Sequence, residues 1–280
     1  MKKLDEAAGD LPLAFISFPS MAESTPLPLT PLPLTTDQQF QDVIDRDGAL
    51  FPAEHPMALQ VWPPLPHRLS ILTTFPPPPP TLHPQSLRSF FVHHPGFALG
   101  YFTPSGTLAA ASLAIPLKES SWRKVISGDL EEHDISARDI FAPESDINLA
   151  IHWYHISVVD KTAIPAKFYL LASRDLSLAI NSLRRDHCPA LQVAGFSALA
   201  ASPAGVEVFR GKLGFRETSL VCRDYVVKTN ANGRMSMIQA TTDLEAAEQC
   251  RQHGLEIVSR MHMLVLDPSD PGLLWDHLRT

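Results

Sequence analysis

Cysteine is scarce in this chain of 280 residues: Cys188, Cys222 and Cys250 are odd in number, widely spaced and without any C-x-x-C pair. Neither a disulfide framework nor a zinc clip is therefore expected, and reduced thiols in a cytoplasmic setting fit best. Long apolar runs are missing too, since no stretch approaches the roughly 18 residues that span a bilayer. Lys2-Lys3 is followed by Asp5, Glu6 and Asp10 before any sustained apolar segment, which is not the order of a secretory signal. Excess positive charge is absent. With 30 acidic against 23 basic residues and a net charge of −7, the chain has no broad attraction for nucleic acid or an anionic membrane. The glycine-rich loops Gly-x-x-x-x-Gly-Lys-Ser/Thr and Gly-x-Gly-x-x-Gly do not occur, nor does His-Glu-x-x-His, so those nucleotide and zinc chemistries are not expected and no metal is invoked. "GFSAL" (195 to 199) lacks the closing glycine of a nucleophile elbow.

Proline, by contrast, is plentiful. The 26 prolines concentrate in 24 to 36, 61 to 68 and 75 to 84. Proline fixes φ and deletes a donor, so these segments read as extended connectors, a stiff linker or a partner-docking motif, and not as helices or interior strands. Between them a helix is predicted from about 36 to 47, with Phe40, Val43 and Ile44 on one side and an end near Gly48. A second short helix at 85 to 93 carries His93 and His94 as surface neighbours. Two apolar strands then flank the turn Thr103-Pro104-Ser105-Gly106, giving a hairpin over 97 to 117. The polar stretch 118 to 146, with "DLEEHD" at 129 to 134, reads as a solvated excursion or as a contact for a cationic acceptor.

"INLAIHWYHISVVD" is a strong strand, rich in β-branched and aromatic residues. Simple alternation places Ile151, Trp153, His155, Ser157 and Val159 on one face, and His152, Tyr154, Ile156 and Val158 on the other. Pro165 opens an amphipathic helix in which Phe168, Ala172, Leu176, Ile180 and Leu183 recur at helical spacing while Arg174, Asp175, Arg184 and Arg185 face outward. "ALQVAGFSALA" is a buried strand, "SPAGVEVFRGKLG" a helix capped by Ser202-Pro203 and Gly214, and "FRETSLVCRDYVV" another strand. Residues 235 to 266 echo this order, with Gly254 in the place of Gly214 and Ser259 in that of Ser219, either as a partial repeat or as common strand-helix grammar. Strands and helices alternate, so the class is α/β or α+β with both sheet faces covered.

"ASPAGVEVFRGKLGF", set between two strands, resembles the last motif of the GNAT superfamily of N-acetyltransferases. "LAIHWYHISVVD" is similar to that family's fourth strand, and "AKFYLLASRDLSLAINSL" to its cofactor-binding helix. The resemblance implies a mixed, mostly antiparallel central sheet with helices on both faces. It divides the chain into a proline-rich tail (1 to 35), a GNAT-like domain (36 to 228, with a proline-rich insert at about 61 to 84) and a C-terminal β-α-β extension (229 to 280). It also implies acetyl-CoA as co-substrate and a small-molecule or protein amine as acceptor. Val158 and Val159 at the strand end, Thr162, Ala163, Ala166 and Lys167 in the following loop, and Ser202 would then line the cofactor, with His155 as base. The pattern is broken at two points. "KTAIPAK" (161 to 167) stands where the family has a glycine-rich pyrophosphate loop, and Arg210 stands four residues before Gly214, where a tyrosine commonly serves as acid. Cys250, at the matching place in the echo, is an alternative acid. A catalytically inactive GNAT-like binding or regulatory module is the competing expectation.

Overall fold

A computed structural model describes residues 29–50, 84–200, 202–218, 223–229 and 235–279. The proline-rich stretches 61–68 and 75–83, together with Ser219 and Cys222, lie outside these residues. The first strand, β1 (Thr30–Pro33), comes from the segment expected to be a proline-rich tail, and it pairs antiparallel with β2 (Ala98–Phe102) at the sheet edge. Leu34, in phase with Thr30 and Leu32, donates its N–H to the Ala98 carbonyl at 2.8 Å. Pro31 and Pro33 fall on the opposite phase, so their missing donors lie along the outer edge, where a strand tolerates proline and further pairing is discouraged.

Helices α1 (Asp37–Leu50) and α2 (Pro84–Phe91) are joined by a stacked Phe40–Phe91 ring pair, with centroids 5.8 Å apart. Helix α2 stops before the histidines, so His93 and His94 are not helical neighbours. His94 is buried, and its Nε2–H donates to the Phe141 carbonyl at 2.9 Å. The hairpin forms as expected, from β2 and β3 (Leu108–Lys118). The stretch 118 to 146 is a packed cover and not a solvated excursion. It contains α3 (Glu119–Ser127), which buries Trp122 and Val125, and a turn in which buried Asp139 accepts from the hydroxyls of Ser121 and Ser136.

Next in the chain come β4 (Asn148–Val158), α4 (Phe168–Asp186) and β5 (Gln192–Ala200). A short helix α5 (Pro203–Val206) continues as a π-helical turn over Glu207–Lys212. The expected strand from 215 to 227 is split between two sheets. Strand β6 (Arg216–Glu217) stays with the main sheet, whereas β7 (Arg223–Thr229) pairs with β8 (Met235–Ala240) and β9 (Leu255–Arg260) around α6 (Asp243–His253). Strand β10 (His262–Leu266) then returns to the main sheet between β5 and β6, and α7 (Leu273–Arg279) follows. The boundary drawn at residue 228 thus cuts through the second sheet, and the stretch 229 to 280 contributes to both.

Among the described residues the main sheet has seven strands in the order β1-β2-β3-β4-β5-β10-β6, antiparallel throughout except for the parallel pair β4 and β5. Helices cover both faces. On β5, Ser197 accepts a hydrogen bond from Trp122 Nε1 of α3 at 2.9 Å, while its neighbour Phe196 points the opposite way and meets Trp275 of α7 at 5.0 Å. This mixed, mostly antiparallel architecture is the one expected. None of the described helices is long and apolar enough to cross a membrane.

Candidate functional site

Strand β4 carries a β-bulge. Leu113 of β3 lies opposite His155 but Ala114 lies opposite Trp153, so Tyr154 is the extra residue. The bulge resets the alternation. His152, opposite Ile115, and His155, opposite Leu113, share the α3 face, and Ser157 joins them; Trp153, Ile156 and Val158 share the other. The sequence expectation that Trp153 and His155 face the same way is therefore corrected.

Pairing of β4 with β5 ends at Trp153 opposite Ala198, although β4 runs on to Val158 and β5 to Ala200. Beyond that point β5 pairs, among the described residues, only with β10. The two central strands splay, and among the described residues no strand pairs with the β5-facing edge of β4 after Trp153. Phe209 of the π turn walls this cleft: its ring meets Trp153 at 5.5 Å and Phe215 at 5.2 Å. The cap chemistry of the neighbouring helix is as the sequence predicts. Ser202 Oγ accepts from the Gly205 N–H at 3.1 Å, so this hydroxyl is engaged in capping, and Gly214 takes a left-handed φ of 83°.

His155 is buried, with Nε2 at 2.8 Å from Ser157 Oγ. Val158 is half-buried at the strand end, and the Val159 N–H is already given to the Ala109 carbonyl at 2.7 Å. In the loop that follows, Asp160 organises the donors. Its Oδ1 accepts from both the N–H and the hydroxyl of Thr162, at 2.9 and 2.6 Å, and its carbonyl accepts from the Ala163 N–H at 3.3 Å. The Thr162 hydrogen bonds hold the Asp160 carboxyl below its ordinary pKa, so a negative charge sits in the loop. Ala163 and Ile164 are buried in the core, whereas Ala166 and Lys167 are exposed at the start of α4, where Lys167 makes no side-chain cap. Arg210 is exposed on the π turn and lies 3.9 Å from Glu217. Cys250 packs among Tyr225, Val227, Ala240 and Ala246 in the second sheet's own core, where burial pushes its thiol pKa up. It is not placed in the β4/β5 cleft.

A buried network beside the splay was not read from the sequence. Trp122 Nε1–H donates to Ser197 Oγ; Ser197 lies 2.8 Å from His152 Nδ1, and His152 Nε2 is bonded to Glu132. A neutral imidazole satisfies every atom, with the serine hydroxyl donating to Nδ1 and Nε2–H donating to the carboxylate. Ser197 and His152 are fully buried, which rules out the exposed seat of a nucleophile elbow for Ser197. The acidic run is visible in the sequence, but nothing there indicates that Glu132 reaches inward. Among the described residues no group of three or more His, Cys, Asp or Glu side chains is arranged to hold a metal ion.

No protein-family model and no curated protein matches the chain. Similar solved structures include the C-terminal condensation domain of Ebony in complex with beta-alanyl-dopamine, which is 13% identical, covers 86% of this chain and 99% of that one, and has a TM-score of 0.37. Another is a GNAT-family acetyltransferase from Listeria monocytogenes 4b F2365, 12% identical, covering 77% of this chain and 96% of that one, with a TM-score of 0.33. Likeness this distant leaves the chemistry of the cleft to be argued from its own residues.

Proposed function

We propose that the protein is an acyl-CoA-dependent N-acyltransferase, passing an acetyl group from acetyl-CoA to an amine. The observation that carries this reading is the splay of β4 from β5 after Trp153, which leaves a strand edge able to hydrogen-bond the amides of an extended pantetheine arm. In this reading the thioester lies against the edge near His155 and Val158. His155, or a water beside it, takes the proton as the amine nitrogen attacks the thioester carbonyl. The C–S bond breaks, and the thiolate takes its proton from solvent, because Arg210 holds the position where an acid is expected and cannot give up a proton near neutral pH. Lys167, exposed at the α4 N-terminus, supplies positive charge for the pyrophosphate.

A second reading has its own observation. The Thr162 donors and the Ala163 N–H are spent on Asp160, so the loop offers few free donors to a phosphate, as in a domain that has lost turnover and serves as a binding module. A thermal-shift titration with acetyl-CoA separates the two. At 100 times its dissociation constant a ligand stabilises the fold by about 2.7 kcal/mol. A saturable shift, weakened in Lys167→Glu, supports the transferase, and loss of turnover in His155→Gln with the shift retained would identify the base. No shift at millimolar acetyl-CoA would sink the transferase reading.

A further inference from the structure

The buried chain that starts at Trp122 has a direction. In the assignment that satisfies every atom, Trp122 Nε1–H donates to Ser197, the Ser197 hydroxyl to His152 Nδ1, and His152 Nε2–H to Glu132, so each hydrogen points toward a terminal carboxylate. Serine, histidine and carboxylate are the groups of a hydrolase triad, but here they are turned the other way round. In a triad the carboxylate is the buried, orienting end and the serine meets substrate. In this chain Ser197 and His152 are fully buried, while the Glu132 side chain is 21% exposed. The end able to meet a ligand is the carboxylate.

Glu132 opens the turn Glu132–Asp134 of the cover. Its neighbours Glu131 and Asp134 are turned to His133, at 3.3 and 3.6 Å, whereas Glu132 reaches β4. Oε1 accepts from His152; Oε2 makes no hydrogen bond among the described residues and is not sealed from solvent. His152 comes one residue before Trp153, the last β4 residue paired with β5, so the carboxylate is held on the α3 face where the splay begins. His155 shares that face. The two histidines lie opposite Ile115 and Leu113, two residues apart on β3, or roughly 7 Å. Asp224, on β7 of the insert, brings a second negative charge nearby: burial raises its pKa against the hydrogen bond from Gln239, and the charge of Glu132 adds to the rise. Two neighbouring carboxylates at a half-buried surface attract a cation.

An alkylamine is an ammonium ion near neutral pH and must lose two protons to become an amide, one before its lone pair is able to attack and one after. His155 accounts for the second. We infer that Glu132 is the seat of the acceptor's ammonium and takes its first proton, so that the substrate class is alkylammonium ions and not neutral arylamines. R–NH3+ docks on Oε2 and gives it one proton, and the freed lone pair forms the N–C bond with the thioester carbonyl. His155 takes the second proton, the C–S bond breaks, and the thiolate is protonated by solvent, to which Glu132 returns its own proton. His152, fixed by Ser197 and Trp122, keeps Oε1 occupied and leaves Oε2 for the ligand. The proton steps rest on the acyl-transfer reading; the seating of the ammonium does not.

The test uses the full chain. Benzylamine and benzyl alcohol have nearly the same shape, and in calorimetric titrations near neutral pH the amine should bind at least about tenfold more tightly, the scale of a charge-assisted hydrogen bond. Glu132→Gln keeps an oxygen for the His152 N–H, so the fold is retained, as circular dichroism checks, and benzylamine should fall to the affinity of the alcohol. With acetyl-CoA as donor, the same variant should lower kcat/KM for benzylamine by at least about tenfold, and for aniline, which arrives neutral and sheds one proton only, by less than about twofold. Damage to the fold would slow both alike. If neither amine is acetylated and acetyl-CoA gives no thermal shift, the acyl-transfer reading falls and the proton step with it, while the titrations still decide the seat. Equal affinity for benzylamine and benzyl alcohol, no detectable binding of benzylamine, benzylamine binding unchanged in Glu132→Gln, or an equal loss of turnover with both amines would overturn the assignment.

Discussion

Gly195 has no side chain because Trp122 occupies the space. A Cβ built there would lie 2.5 Å from Trp122 Cη2, and the ring is held in place by its hydrogen bond to Ser197. Gly195→Ala is therefore expected to destabilise the fold by about 1–3 kcal/mol, the range for overpacking a filled core, read as a lower urea midpoint at unchanged slope. His94 makes a pH prediction. Burial lowers its folded pKa below 6.5, so between that pKa and 6.5 the unfolded chain binds a proton that the native state refuses. Its contribution to stability is complete above about pH 6.5 and is lost as the pH falls through the window below it. His94→Gln, whose side-chain amide is able to donate to Phe141, should show a shallower loss of stability between pH 7.5 and 5.5 than the parent protein; parallel curves would remove His94 as a source of acid sensitivity.

Elements differed in how far the sequence specified them. The helix after β5 was legible at both ends, because its cap is a local contract: Ser202 accepts from Gly205, and Gly214 takes a φ that side chains rarely adopt, with the Pro271 carbonyl oxygen only 2.6 Å from where a Cβ would stand. The π turn that follows and the bulge at Tyr154 carry no such local signature. One extra residue leaves the composition of β4 unchanged and yet reverses the face of every residue after it, which is why simple alternation puts His155 on the wrong side of the strand. Asp175, buried on α4, failed for a related reason, since a charged residue at a helical position reads as solvated until the packing partner of that face is known. The loop 161 to 167 was legible as glycine-poor, but not as an Asp160-centred turn. That turn makes an element-level prediction: if acyl-CoA binds there, Asp160→Asn keeps an acceptor for Thr162 while removing a like charge from the pyrophosphate path, and affinity should rise by roughly two- to fivefold at low salt. Unchanged affinity across salt concentrations would place the phosphates elsewhere.

At the scale of the whole molecule, the chain builds one large core and then interrupts it. Glu217 of β6 pairs with Leu264 of β10, and the Thr218 N–H donates to the Met263 carbonyl at 3.0 Å, so β6 and β10 already form the base of a hairpin. Everything from 219 to 261 is inserted at its tip. The sheet of β8, β7 and β9 with α6 has its own small core around Tyr225, Val227 and Ala246, separate from the main cluster. Among the described residues the insert is tied back by polar contacts such as the ion pair of Arg260 with Glu217. Such ties at a partly exposed junction contribute little compared with the apolar burial of either core. Replacing 219 to 261 by a two-residue Asn-Gly turn should therefore leave a main sheet that still unfolds in a single cooperative transition, with a smaller denaturant slope in keeping with the surface removed. A non-cooperative or aggregating product would mean that the insert completes the main core and is not merely carried by it. In that case β10, which reaches its place between β5 and β6 only after the chain has left the second sheet, would depend on that sheet for its register.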